Sequence, residues 1–305
     1  MAATFLYPAY EGYRFHHQFN TREVVPLDQL DTYVQDALDL VEFANGDANT
    51  KWGKVRASMG HPAPFHLKMM GIGNENWGPQ YQERLAVISK AVKARYPEIK
   101  LVNSAGTDPS GDRFDFLDKE LREMNADIID KHFYRKPEWF LSNAARYDNY
   151  PRNATKIFAG EYAAHSERTA NMQDRNNAQA AIAEAAFMTG LERNADVVHL
   201  ASYAPLFAHI DGWQWTPDLV WVNSLESYGT PNYYVQKLYS LNKGTHTVPA
   251  QLGGKPLTGQ DSLYVSAVVD QQTNDLIIEL VNVGGKQVSQ QIIKEGIKKC
   301  PPPVC

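Results

Sequence analysis

Short apolar runs alternate with amphipathic segments through the middle of the chain, from about residue 65 to residue 242. Strands are predicted at 65–73, 99–102, 126–134, 155–160 and 196–201, and helices at 79–95, 114–124, 137–146, 175–193 and 233–241. A long excursion rich in tryptophan separates the last strand from its helix. This alternation of strands and helices is typical of β/α units around a parallel sheet. The pattern therefore predicts an α/β protein with five such units.

Both flanks of this region have a different character. Residues 26–43 are predicted to form a helix with one apolar stripe, and no convincing strand is predicted ahead of it. After Asn242, two strands at 262–269 and 276–283 follow one another without a helix between them. This change indicates the start of a separate β domain. We expect residues 1–245 to form a partial (β/α) barrel and residues 246–305 a partial C-terminal β-sandwich.

Composition and charge narrow the classes of function. The chain has 305 residues, 43% of them hydrophobic, and its 30 Lys and Arg against 35 Asp and Glu give a net charge of −5. No cluster of basic residues is dense enough to neutralise phosphates, so a nucleic acid partner is not expected. No apolar run is long enough for a membrane span, and the first residues lack the pattern of a signal peptide. Cys300 and Cys305 at the C-terminus form neither a disulfide framework nor a zinc pattern.

Two of the predicted strands lead into glutamates. Glu75 follows Gly73 and Asn74, and Glu161 follows Gly160. In a parallel barrel, functional groups come from the C-terminal ends of strands, where side chains converge on one face. A pair of carboxyl groups in one cleft is the basic requirement for cleaving a glycosidic bond. Either glutamate taken alone is equally consistent with a solvated loop residue, but the pair favours catalysis.

Further polar and aromatic residues are candidates for substrate binding. Alternation along the strand at 126–134 places His132 and Tyr134 on the same side, where they could orient a carboxylate or bind sugar hydroxyls; packing in the core is the alternative. Asn74 could donate to a hydroxyl or cap a turn, and Asn223 is a weaker candidate. Three tryptophans in the excursion could form an apolar wall for a sugar ring or simply pack: Trp213, Trp215 and Trp221.

Other chemistries have little support in the sequence. The chain contains no HExxH motif, and its nine histidines are scattered, which argues against a catalytic zinc. It also has no phosphate-binding GxxxxGK[ST] loop, no complete dinucleotide loop after Gly71, and no GxSxG elbow of a serine hydrolase. We therefore expect neither a metal nor a cofactor.

Five ordered sequence blocks resemble the α-L-arabinofuranosidases of glycoside hydrolase family 51. The blocks are WGKVRASMGHP at 52–62, GIGNE at 71–75, FAGEYA at 158–163, ASYAPLF at 201–207 and YGTPNYY at 228–234. The resemblance extends from about residue 18 to about residue 283. It implies a (β/α)8 barrel of the TIM type with an appended β-sandwich. It further implies that the enzyme releases terminal arabinofuranosyl groups with retention of configuration.

The resemblance also implies roles for the candidate residues. Glu75 matches the acid/base of the family and Glu161 its nucleophile. Three residues match positions that bind sugar or support the nucleophile, namely Asn74, His132 and Tyr134, whereas Asn223 is a looser match. The implied substrates are arabinose-containing plant polysaccharides and oligosaccharides such as arabinan and arabinoxylan. An extracellular or periplasmic location is favoured, and a homo-oligomer is left open.

The sequence departs from the family pattern at both ends. A family member would have about three further β/α units ahead of the helix at 26–43, and the β-sandwich stops early. We therefore expect an N-terminally truncated barrel whose activity is weak or absent, because unpaired strand edges leave apolar surface uncovered. The alternative function is that of a catalytically impaired, sugar-binding fragment. A barrel glycosidase of another specificity, a xylosidase or an endoglucanase, is a third alternative.

Overall fold

The computed structural model describes residues 2–5, 25–76, 78–166, 175–213 and 215–294, which fall into two compact units. The first unit comprises Met1–His132 and Asn153–Phe158, and the second comprises Phe133–Arg152 and Ala159–Cys305. Cys300, Cys305 and the start of the family resemblance near residue 18 lie outside the described residues.

The first unit contains parallel strands in chain order. They are β1 (Ala2–Phe5), β2 (Met69–Ile72), β3 (Lys100–Ser104) and the beginning of β4 (Ile128–Arg135). Ala3 pairs with Met70, and Met70 with Leu101, which fixes the register. Strand β1 corrects the prediction that no strand precedes the first helix. Its four residues are too few to show a pattern alone, and the strand is identified by its pairing with β2.

Four helices accompany these strands: α1 (Asp31–Asn45), α2 (Lys51–Ser58), α3 (Pro79–Arg95) and α4 (Asp112–Glu123). Buried apolar side chains such as Val41, Ile88 and Leu117 form the core of this unit. Helix α2 was not predicted, because it lacks an apolar stripe. It is held instead by the fully buried Arg56, whose guanidinium donates to the backbone carbonyls of Phe43, Gly46, His61 and Pro62.

The second unit continues the parallel α/β pattern. It contains the end of β4, α5 (Pro137–Ser142), most of β5 (Lys156–Ala164), α6 (Ala178–Arg193), β6 (Val198–Ala201) and α7 (Pro231–Leu241), with strand order β4-β5-β6. The five predicted strands are thus confirmed, and β1 adds a sixth. Helix α6 is buried nearly all round, which its many alanines permit.

The tryptophan-rich excursion forms a small sheet of its own, made of β7 (Phe207–His209), β8 (Val220–Val222) and β9 (Ser227–Gly229). Strand β8 pairs parallel with β7 and antiparallel with β9. Sequence periodicity suggested only one apolar run here, at 218–222. The flanking strands have three residues each, which is too short for a pattern to show.

In the last described part of the chain the strands pair antiparallel, and no helix separates the two strands predicted at 262–269 and 276–283. Its described residues contain five strands, β10 (His246–Thr247), β11 (Gln251–Leu252), β12 (Lys255–Pro256), β13 (Leu263–Asp270) and β14 (Asp275–Asn282), of which β13 and β14 form the final hairpin. Strands β10, β13 and β14 form one sheet, and Tyr264 of β13 packs with Ala144 and Ala186. Across the described parts of the chain, we find no helix with the length and apolar character required to cross a bilayer.

Candidate active site

A tight turn after β2 presents Glu75. Gly73 has φ of +82°, and a Cβ placed on it would lie 2.0 Å from the Asn76 Oδ1, so only glycine fits here. That same oxygen accepts a hydrogen bond from the backbone N–H of Asn74 at 2.8 Å. Glu75 itself has φ of +53°, a left-handed conformation that is uncommon for a residue with a side chain. Glu75 is half-buried, and Asn74 beside it is exposed.

His132 lies against Glu75 in the first unit. The imidazole is buried, with its Nδ1 3.0 Å from the Glu75 Oε1 and its Nε2 3.3 Å from the Asp130 Oδ2. A neutral imidazole donates from one nitrogen and accepts at the other, whereas an imidazolium donates from both. When Nε2 donates to Asp130, Nδ1 can accept a proton shared with Glu75. This arrangement places Glu75, the imidazole and Asp130 in one chain of hydrogen-bonding groups.

Glu161 lies inside β5, three residues before the strand ends at Ala164. This corrects the prediction that Glu161 follows the end of its strand: the backbone pairing continues past Gly160. In the second unit, the Tyr134 Oη donates to the Glu161 Oε2 at 2.7 Å. A donor on a carboxylate favours its ionised form and fixes its orientation. The two β4 side chains therefore contact different glutamates. Tyr134 orients Glu161, and His132 contacts Glu75.

A buried network in the second unit was missed by the sequence analysis. Glu184 on α6 is fully buried, and its Oε1 accepts from the Ala164 N–H at 2.7 Å. Its Oε2 accepts from the Asn232 Nδ2 at 2.8 Å, and the Asn232 Oδ1 accepts from Asn176 at 2.9 Å. Burial raises the pKa of Glu184 to about 8, although its two hydrogen bonds act in the opposite direction. In the sequence, the sign of this network is Glu184 itself, a single charged residue within the apolar segment 178–191.

The remaining candidates lie on the small sheet of the second unit. The Asn223 Oδ1 accepts from the N–H groups of Leu225 and Glu226, so this side chain shapes the turn between β8 and β9. The Trp213 and Trp221 rings meet edge to face at 5.5 Å, and Trp215 is partly exposed. Trp221 is buried, so of the two roles considered for these tryptophans it has the packing role.

Comparisons with known proteins identify the family. A family model described as the α-L-arabinofuranosidase 1 domain matches residues 3–152, and one described as the α-L-arabinofuranosidase C-terminal domain matches residues 160–299. The extracellular exo-α-L-arabinofuranosidase of Streptomyces chartreusis is 48% identical over 228 residues, which are 74% of this chain and 26% of that protein. The α-L-arabinofuranosidase 2 of Arabidopsis thaliana is 37% identical over 94% of this chain and 39% of its own length. The chain thus spans between a quarter and two fifths of these relatives.

Solved structures agree with the sequence comparisons. The arabinose-bound MgGH51 α-L-arabinofuranosidase is 33% identical with a TM-score of 0.73, over 86% of this chain and 42% of that one. The α-L-arabinofuranosidase of Thermotoga maritima, in complex with arabinose, has a TM-score of 0.61 at 20% identity, over 82% and 58% of the two chains, and shows the shared fold. The resemblance inferred from five sequence blocks is confirmed. The chain belongs to the α-L-arabinofuranosidases of glycoside hydrolase family 51.

Proposed function

We propose that this protein hydrolyses terminal α-L-arabinofuranosyl groups of plant polysaccharides and oligosaccharides with retention of configuration. Glu161 is the nucleophile and Glu75 the acid/base. The observation that carries the proposal is the 2.7 Å hydrogen bond from the Tyr134 hydroxyl to the Glu161 carboxylate, within a chain of this family. The proposal includes a (β/α)8 barrel, of which residues 1–245 form a part, and a C-terminal β-sandwich beginning at residue 246.

In the first step, Glu161 attacks the anomeric carbon while Glu75 protonates the departing oxygen. Retaining glycosidases need two carboxyl groups about 5 to 5.5 Å apart for this double displacement. Tyr134 supports the role of nucleophile, because its hydroxyl donor favours the ionised carboxylate and holds one oxygen in place. The other oxygen of Glu161 carries out the attack.

In the second step, Glu75 acts as a base and takes a proton from the water that attacks the glycosyl-enzyme. The position of His132 between Glu75 and Asp130 supports this exchange of roles. A neutral imidazole that donates from Nε2 to Asp130 offers Nδ1 as an acceptor to the protonated Glu75 before the first step, and the Glu75 proton then passes to the departing oxygen. Asn74, exposed beside Glu75, is the proposed donor to a sugar hydroxyl, with Asn223 as a more distant candidate.

The test is chemical rescue of the variant Glu161→Ala. Turnover of an aryl α-L-arabinofuranoside should disappear, and azide should restore it with formation of the arabinofuranosyl azide of inverted configuration, because azide takes the place of the missing carboxylate. Glu138→Ala removes an exposed carboxylate of α5 in the same unit and should hydrolyse the substrate like the unchanged protein.

Unimpaired hydrolysis by Glu161→Ala would refute the assignment. The alternative of a sugar-binding fragment predicts a different result for the unchanged protein. In that case, arabinose would raise the melting temperature of the unchanged protein, whereas no aryl alcohol would be released.

A further inference from the structure

A chain of hydrogen bonds that all point one way runs through the interior of the second unit. It begins at the backbone N–H of Asp218, which donates to the Asn176 Oδ1 at 3.2 Å. The Asn176 Nδ2 donates to the Asn232 Oδ1 at 2.9 Å, and the Asn232 Nδ2 donates to the Glu184 Oε2 at 2.8 Å. The other oxygen of Glu184 accepts from the N–H of Ala164, the last residue of β5, at 2.7 Å. We call this chain the amide relay, and each of its bonds leads towards the Glu184 carboxyl group.

The amide relay requires a side chain at position 184 that accepts at both of its polar atoms. A carboxyl group does so in either protonation state, whereas an amide accepts at one atom and donates from the other. Glu184 and Asn232 are fully buried, so water cannot replace a lost partner. Among the described residues, no Lys or Arg forms an ion pair with Glu184, and the ionisable groups that interact with it are Tyr162 and Tyr203. Glu184 therefore acts as an acceptor of the relay, not as the partner of a cation.

The relay contacts the part of β5 that carries Glu161. Ala164 lies three residues after Glu161 on the same strand. The Asn176 Nδ2 also donates to the Tyr203 Oη at 3.2 Å. The Tyr203 ring packs edge to face on that of Tyr162, the residue after Glu161, at 6.2 Å between centroids. The strand is therefore held directly after Glu161 and again at its end.

The position of this strand decides whether Glu161 keeps its donor. The Tyr134 Oη on the neighbouring strand β4 donates to the Glu161 Oε2 at 2.7 Å. A displacement of β5 by about 0.5 Å would lengthen this bond beyond the upper limit of about 3.0 Å for good O–H···O hydrogen bonds. The ionised carboxylate would then lose a group that stabilises it.

We propose that Glu184 is a positioning residue for the nucleophile. As the terminal acceptor of the amide relay, it holds the end of β5 so that Glu161 stays within hydrogen-bond distance of Tyr134. Glu184 acts through the backbone between Glu161 and Ala164 and does not touch the sugar. This inference rests on the proposed function, in which Glu161 attacks the anomeric carbon.

The test is a pair of variants that first breaks the relay and then rebuilds it. Glu184→Gln places a second donor against the Asn232 amide and removes one bond. Addition of Asn232→Asp supplies an acceptor at this point, which accepts from the introduced glutamine and still accepts from the Asn176 Nδ2. The double variant therefore has every contact of the relay, with one bond reversed and the carboxyl group moved from α6 to α7.

The measurement is the pH profile of kcat/KM for an aryl α-L-arabinofuranoside, whose acid limb reports the ionisation of the nucleophile in the free enzyme. Glu184→Gln should move this limb up by about one pH unit, which lowers kcat/KM about tenfold at pH values below the limb. The double variant should return the limb to its position in the unchanged protein. Burial raises the pKa of Glu184 to about 8, so its own titration lies above the acid limb and does not produce the shift.

Two further variants separate positioning from stability. Gly190→Ala crowds the same helix against the Ala144 carbonyl without contact to the relay, and should leave the acid limb in place. If Glu184→Gln does not fold, Asn176→Ala interrupts the relay at its partly exposed end and should move the limb in the same direction.

A measurement without turnover distinguishes this inference from the proposed function. Carboxyl ¹³C NMR follows the titration of Glu161 directly, with its signal assigned by comparison with Glu161→Gln. No hydrolysis of the aryl substrate by the unchanged protein would refute the proposed function, and the NMR titration of Glu184→Gln would still decide the role of Glu184. An unmoved titration in Glu184→Gln, a double variant as displaced as the single one, or an equal displacement in Gly190→Ala would overturn the positioning role.

Discussion

Glu184→Gln should make the stability of the protein less dependent on pH, because this carboxyl is buried in helix α6. Its pKa is raised from an ordinary 4.5 to about 8 by burial. A group whose pKa is higher in the folded than in the unfolded state stabilises the fold fully below the unfolded value. That stability is lost as the pH rises towards the folded value, since the unfolded chain releases the proton first.

The size of the effect follows from the two pKa values. Each pKa unit corresponds to 1.36 kcal/mol, so between pH 5 and pH 8 Glu184 should lower the free energy of unfolding by about 3 to 4 kcal/mol. Glutamine has no proton to release in this range. It still accepts from the Ala164 N–H, but it places an amide NH2 against Asn232, which adds a cost that does not vary with pH.

The assay is urea unfolding followed by circular dichroism at intervals of pH between 5 and 8. The difference in unfolding free energy between Glu184→Gln and the unchanged protein should move by about 3 to 4 kcal/mol in favour of the variant as the pH rises. Glu138→Gln, an exposed glutamate of α5, serves as the matched control and should follow the unchanged protein. Parallel curves for Glu184→Gln and the unchanged protein would refute the reasoning.

Three further predictions concern the site and the core. In Glu75→Ala, substrates with good leaving groups should lose least in the glycosylation rate, because they need no acid; an equal loss across a series of aryl arabinofuranosides would contradict the role of Glu75. Tyr134→Phe removes a donor from the Glu161 carboxylate and should lower kcat/KM about 10- to 100-fold, as expected for a hydrogen bond to a charged group; values within twofold of the unchanged protein would argue against it. Gly190→Ala places a Cβ 1.9 Å from the Ala144 carbonyl oxygen and should lower the free energy of unfolding by about 2 kcal/mol or more, whereas Gly285→Ala, with open space around it, should change little; similar urea midpoints would contradict this packing.

The repeating part of the fold could be predicted from the sequence because it follows local periodicity. The helix predicted at 79–95 has these bounds in the structure, and the strands around Val102, His132 and Phe158 lie where apolar runs occur. Elements that depend on distant contacts were missed. Strand β1 is identified by pairing with β2, and α2 is held by carbonyl groups around Arg56 rather than by an apolar stripe.

The candidate site shows the same division between local and distant information. Gly73 two residues before Glu75, Gly160 directly before Glu161, and the two-residue spacing of His132 and Tyr134 singled out these side chains from the sequence. Which carboxylate each side chain of β4 contacts could not be read from spacing, because the contact depends on turn geometry after β2 and on pairing along β5. The Glu184 network joins residues 20 to 56 positions apart, and its one sign in the sequence is a single charge in an apolar segment.

We propose that Glu161 forms a covalent bond to the sugar and that Glu75 then activates water. In the Glu75→Ala variant, an aryl arabinofuranoside with a good leaving group should glycosylate the enzyme faster than water can release the sugar. Acid quenching, proteolysis and mass spectrometry should then find one arabinosyl group on the peptide that contains Glu161. An arabinosyl group on any other residue, or release of the aryl alcohol with no labelled peptide at all, would refute the assignment of Glu161 as the nucleophile.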